Sequence, residues 1–92
     1  MKIVNLGKTV ATAGVSNWVK NNPSTMDAVI AALHRHENGD WGEVDKEDWE
    51  LNNQAVESGN RLLSSYVIEG EKIWIITEWD RSSTTVLFPS EY

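Results

Sequence analysis

The stretch Lys72–Tyr92, KIWIITEWDRSSTTVLFPSEY, decides how the chain is read. Within it, Ile73-Trp74-Ile75-Ile76-Thr77 is an unbroken apolar, β-branched and aromatic run of strand length. An edge strand would alternate apolar with polar residues. A run without alternation predicts a central strand covered on both faces. The polar cluster Glu78-Trp79-Asp80-Arg81-Ser82-Ser83 interrupts it, and Thr84-Thr85-Val86-Leu87-Phe88 resumes β character until Pro89 removes a ladder donor. Two antiparallel strands joined by a short charged turn follow from this pattern.

Working outward, Arg61–Ile68 reads as the preceding strand, and Glu69-Gly70-Glu71 folds it onto the central one as a hairpin. Lys46 to Ser58 reads as a helix capped by Asp45, with an inner stripe of Asp48, Leu51, Asn52, Ala55, Val56 and Gly59. An earlier helix runs from Thr25 to His36, with Ser24 as its cap. Its apolar positions Met26, Val29, Ile30 and Leu33 share one face, and His36 lies at the end of that face, where the helix dipole favours the imidazolium. Asn38-Gly39 is a left-handed stop. Before these, Met1–Ala11 reads as a strand broken at Gly7, followed by a short helix carrying Val15, Trp18 and Val19 that Asn21-Asn22-Pro23 ends. The expected fold is α+β within a single domain, residues 1–92. It is an antiparallel meander of three or four strands packed with two main helices and one short N-terminal helix.

Ninety-two residues support one modest core. There is no cysteine, which excludes disulfides, thiolate catalysis and cysteine-based zinc sites. No charged-then-apolar leader opens the sequence and no apolar run reaches membrane-spanning length, so a cytoplasmic protein without a membrane partner is expected. The net charge of −6 and scattered Lys and Arg residues argue against direct binding of nucleic acid and make binding to a basic groove on another protein easy.

Four constellations stand out. His36 and Asp40 flank a helix end and could form an acid/base pair, or hold a metal if Glu78 or Asp80 supplied a third ligand. The plainer reading has His36 bonding a loop while Trp41 plugs the core. Glu78, Asp80 and Arg81 could line a pocket at a strand end, or form only a salt-bridged turn. Arg61 could clamp an anion or pair with Glu78 across the hairpin, and Ser64 lacks the G-x-S-x-G setting of a nucleophile. Asn52, polar on an inward stripe, must be a helix-to-loop clamp or part of a site. Five tryptophans exceed what one small core holds; Trp49, off its helix's inner stripe, and Trp79, beyond the strand, are the candidate interface anchors.

The strings His36-Glu37-Asn38-Gly39-Asp40-Trp41-Gly42 and Ile73-Trp74-Ile75-Ile76-Thr77-Glu78, with Asp80-Arg81-Ser82, closely resemble a family of small bacterial proteins carried on plasmids and phages. These are labelled "plasmid-related protein" or "type I restriction endonuclease subunit M". The resemblance runs from about Leu6 to Tyr92 and departs at Trp79, where a small residue is usual. A DNA methyltransferase subunit needs a cofactor-binding sheet and a catalytic motif, and this chain holds neither. The resemblance implies instead an accessory gene of a mobile element.

Two functions are carried forward. The first is a non-enzymatic inhibitor, of anti-CRISPR or anti-restriction type, whose acidic surface binds a host defence nuclease without a cofactor or metal. The second is a small enzyme or ligand-binding domain whose pocket gathers His36, Asp40, Asn52, Arg61, Glu78, Asp80 and Arg81. An open edge at the C-terminal strand would also favour a homodimer.

Overall fold

The computed structural model describes all 92 residues, as an α+β fold of three helices and a four-stranded sheet. Strand β1 (Lys8–Ala11) leads into helices α1 (Ala13–Asn21), α2 (Thr25–Glu37) and α3 (Lys46–Ser58). Strands β2 (Leu62–Ile68), β3 (Glu71–Thr77) and β4 (Ser83–Leu87) follow, and a 3-10 turn, Pro89–Glu91, closes the chain. The sheet order is β1-β4-β3-β2.

The meander β2–β3–β4 is antiparallel, as its turn chemistry requires, with Thr77 opposite Thr84 and Leu62 opposite Thr77. The sheet as a whole is mixed, not antiparallel, because β1 runs parallel to β4, Lys8 opposite Ser83 and Ala11 opposite Val86. Strand direction for β1 is set by tertiary context. Thr12 donates its backbone N–H to Val86 and then caps α1, accepting from the Val15 N–H, so strand and helix share one junction. Strand β4 is therefore internal, and the open edge expected there lies at β1.

The N-terminal strand is shorter than its sequence suggests. Residues before Lys8 form a strap along the end of α2, in which the N–H groups of Ile3 and Val4 both reach the carbonyl of Glu37. Gly7, at φ +61°, lets the strap pass against the carbonyls of Arg81 and Ser82, where a Cβ would collide.

Alternation on the strands sends Tyr66, Ile68, Ile73, Ile75 and Val86 to one face, where they pack with Val15 of α1 and Val29 and Ala32 of α2. A second cluster, Val4, Trp41, Ala55 and Leu62, joins the strap to α3. The opposite sheet face carries no helix of this core. Trp74 is half-buried there and meets the ring of Tyr92 edge-on at 5.7 Å, while Ile76 and Leu87 on the same face are buried, so the C-terminal segment rather than a helix supplies the second cover read from the β3 sequence.

Helix α2 is rotated from its expected orientation. Its buried side is Thr25, Val29, Ala32 and His36, while Met26 and Ile30 are 49% and 45% exposed. Ser24 makes no cap bond; its hydroxyl donates to Glu69, and Thr25 instead anchors the helix to the carbonyl of Asn22. For α3 the Asp45 cap forms as read, and Gly59, read as part of the inner stripe, is instead the left-handed stop of the helix. On its inner side Asn52 and Ala55 are buried, whereas Leu51 and Asp48 face out. No helix is long and apolar enough to cross a membrane.

Candidate functional site

The most unusual feature of the interior is a chain of polar side chains running through the sheet beside the strap. His36, Ser64, Thr77 and Thr84 are all fully buried. Ser64 Oγ lies 2.5 Å from His36 Nδ1, Thr77 Oγ1 lies 2.8 Å from His36 Nε2, and the hydroxyls of Thr77 and Thr84 are 2.7 Å apart. Thr84 then donates to the carbonyl of Leu6 at 2.7 Å.

The proton positions follow from the last bond. A carbonyl can only accept, so Thr84 spends its one hydrogen on Leu6 and must accept from Thr77. Thr77 in turn accepts from His36 Nε2–H, which leaves Nδ1 to accept from Ser64. His36 is thus neutral, with its proton on Nε2. Burial is the main reason its pKa falls to about 4, and the charge of Arg81 adds to it. Together they outweigh the helix dipole that favours the imidazolium at this position. Trp41, also fully buried, closes the site edge-on at 5.4 Å from the imidazole, and its indole N–H donates to Asn53.

The expected His36–Asp40 pair does not form. Asp40 is held in a two-point ion pair with Arg35, at 2.8 and 3.2 Å, and also accepts from the Gly42 N–H. The Arg35 bond holds the Asp40 carboxyl below its ordinary range. Arg35 stacks over the ring of Tyr66, whose hydroxyl donates to the Asp40 carbonyl; burial pushes that phenol up to about 12.

The remaining candidates also satisfy one another locally. Asn52 is the helix-to-strand clamp, its amide bonding both the carbonyl and the N–H of Leu63. Arg61 approaches Glu78 at 3.6 Å and donates to the hydroxyl of Tyr92, over whose ring it lies. Arg81, at φ +60°, donates to the carbonyls of Ala55, Asn60 and Glu78, tying the end of α3 to the β3–β4 turn. Asp80 is exposed and accepts from the Ser82 N–H, the turn role. Strand β3 stops at Thr77, so Glu78 and Asp80 share no strand face. The structure therefore joins Arg61 with Glu78 and leaves His36 and Asp40 in separate networks. No three acidic or histidine side chains gather as a metal would require. Every buried side-chain nitrogen and oxygen has a partner within the chain.

Of the two anchors, Trp79 is 66% exposed, whereas Trp49 packs against the Val4–Trp41–Ala55–Leu62 cluster. Sequence reasoning missed Thr77 and Thr84 as members of the His36 chain. The available signal was two threonines on adjacent strands in an otherwise aliphatic interior. It also missed the carbonyl of Leu6, which no side-chain pattern reveals.

No protein-family model matches the chain, and neither the curated proteins nor the solved structures contain a significant match.

Proposed function

We propose that the protein is a non-catalytic accessory protein of a mobile genetic element that inhibits a host defence nuclease by binding it, using the exposed side of α3 as an acidic face. The observation that carries this reading is where the charge sits. Between Glu43 and Ser58 the chain has six carboxylates, all exposed, and one lysine, a net −5 out of the whole chain's −6. Glu47, Glu50 and Glu57 project from the side of α3 opposite Asn52 and Ala55, so they form a solvent-facing row that core packing does not require. Such a row suits a basic groove that normally holds a nucleic-acid backbone.

A catalytic reading draws less support from the geometry. His36 and Ser64 are hydrogen-bonded but fully buried, and the candidates His36, Asp40, Arg61 and Glu78 do not face a common cavity. The test is recovery of partners from host lysate on the tagged protein, at low and high salt, beside a Glu47→Gln/Glu50→Gln/Glu57→Gln variant. A nuclease effector retained by the wild type at low salt, and lost by the variant or by high salt, is the expected result. Retention by both proteins at high salt would remove the acidic face from the mechanism. Recovery of no nuclease complex would sink the inhibitor reading for that host.

A further inference from the structure

The two edges of the sheet are finished differently. On the β2 edge, Asn52 takes the N–H and carbonyl of Leu63, and the loop before α3 takes those of Ser65 through Trp41 and Glu43. That edge is closed over most of its length. On the β1 edge nothing comparable exists. Lys8 and Thr12 donate inward, to the carbonyls of Ser82 and Val86, so the alternating register turns the N–H and C=O groups of Thr9 and Ala11 outward. All four residues of β1 are exposed, and the strand has no proline and a single charge, Lys8, to discourage pairing.

Apolar surface continues from this edge. Ala11, Val15, Val19, Met26 and Val29 line a groove between α1 and α2 beside the strand, with the half-exposed Met26 at its rim and Ile30 one turn further along α2. Charge decides what can approach. Residues 1–36 carry four basic and one acidic side chains; residues 37–92 carry four basic and thirteen acidic ones. The acidic helix α3 packs at β2, the opposite edge of the sheet. The β1 edge is the sheet edge farthest from the carboxylates of α3, and the one carboxylate at its end, Glu91, is already held by the Thr12 hydroxyl and the Phe88 N–H, so a second copy meets least repulsion there.

We propose that β1 is a self-association edge. Two copies pair antiparallel along Lys8–Ala11 about a two-fold axis, joining two four-stranded sheets into one of eight and bringing the Met26 grooves together. With strands about 4.8 Å apart, the two β2 edges and their acidic helices are roughly 30 Å from each other. That is several times the Debye length of about 8 Å at physiological salt, so the net charge opposes pairing only weakly. The shared surface is small beside the roughly 1,600 Å² of a standard interface, so the dimer forms in a concentration-dependent way. The inference stands apart from the nuclease-inhibitor reading, and either can fail alone.

Sedimentation equilibrium on the purified protein, from roughly 1 μM to 1 mM, the span of weak protein affinities, is the test. The expected result is an average mass rising from 10.4 kDa toward twice that value. Met26→Glu should place a charge in the joint and weaken association at least tenfold. Thr9→Pro should do the same by removing an outward N–H that makes no bond within the sheet. Val67→Lys, on the other edge strand and already exposed, should leave it intact. Circular dichroism matching the wild type shows each variant folded. A wild type that stays monomeric throughout overturns the proposal and leaves the edge to an extended segment of another protein. So does a dimer that survives Met26→Glu and Thr9→Pro, or one that Val67→Lys dissolves.

Discussion

Thr84 donates to the carbonyl of Leu6 at 2.7 Å, and this bond sets the direction of every proton in the interior chain that ends at Ser64. It also ties β4 to the N-terminal strap. A segment read from the sequence as part of a strand thereby completes, as a strap, the hydrogen bonding of the deepest polar residues.

The first prediction concerns pH. His36 binds its proton near pH 4 in the folded protein and near the ordinary histidine value of 6.5 when unfolded. Its contribution is therefore fully present above about pH 6.5 and is lost as pH falls toward 4, because only the unfolded chain gains the proton. At about 1.4 kcal/mol per pKa unit, the loss is on the order of 3 kcal/mol. The depressed carboxyls of Asp40, Asp80 and Glu91 act in the same direction at still lower pH. Urea denaturation from pH 7 to 4 checks this, with His36→Gln expected to flatten the slope. An equal slope in the variant would assign the effect to other groups.

A second prediction tests the direction of the chain. Thr84→Val removes the donor to Leu6 and the acceptor for Thr77, and is expected to cost about 1–3 kcal/mol. Since the hydroxyls act in series, Thr77→Val and Thr84→Val should be non-additive, with a coupling of about 0.5–3 kcal/mol in a double-mutant cycle. The ¹⁵N shifts of His36 should report Nε2 protonated and Nδ1 unprotonated at neutral pH. The opposite tautomer would reverse the chain and contradict the Leu6 bond.

Much of the fold was legible because it rests on local rules. The unbroken run in β3, the Asp45 cap and the glycine stop at Gly39 each specify a local conformation, and each forms. The direction of β1 and the rotation of α2 were not legible. Met26 and Ile30 satisfy helical periodicity as well as Thr25 and Ala32 do, and only the tertiary placement beside β2 decides which row is buried. Among the polar candidates His36 and Asn52 are buried, whereas Arg61 and Asp80 are exposed and Asp48, read on an inward stripe, faces out. Their partners were not readable, since Asp40 answers Arg35 and Arg81 answers backbone carbonyls, neither of which leaves a spacing signature.

The third prediction follows from Asn52, whose amide closes the β2 edge at Leu63. Asn52→Ala leaves a half-buried N–H and carbonyl without partners, and a loss of about 1–3 kcal/mol is expected. Amide exchange at Leu63 should accelerate more than at Tyr66, which bonds within the β2–β3 ladder. Unchanged exchange at Leu63 would mean that α3 does not protect that edge.

The last prediction separates two glycines with the same backbone geometry. Gly42 has φ +74° and Gly70 has φ +79°, so alanine at either position meets the intrinsic cost of a left-handed residue, about 1–2 kcal/mol. Nothing lies near Gly70, and its alanine variant should show little more than that cost. At Gly42 a Cβ would strike the carbonyl of Ser65 and the ring of Tyr66, because the loop bridges directly onto β2 there. Neither obstacle is the free end of a flexible chain. The Ser65 carbonyl also accepts from Glu43, and the Tyr66 hydroxyl holds the Asp40 carbonyl, so relief requires the whole Asp40–Val44 loop to lift. Gly42→Ala should therefore lose more than about 4 kcal/mol, a range reserved for clashes and cavities. It should also expose Trp41, visible as a red shift of tryptophan emission. Equal losses at the two positions would show that this loop leaves β2 easily and that Trp41 is not its anchor.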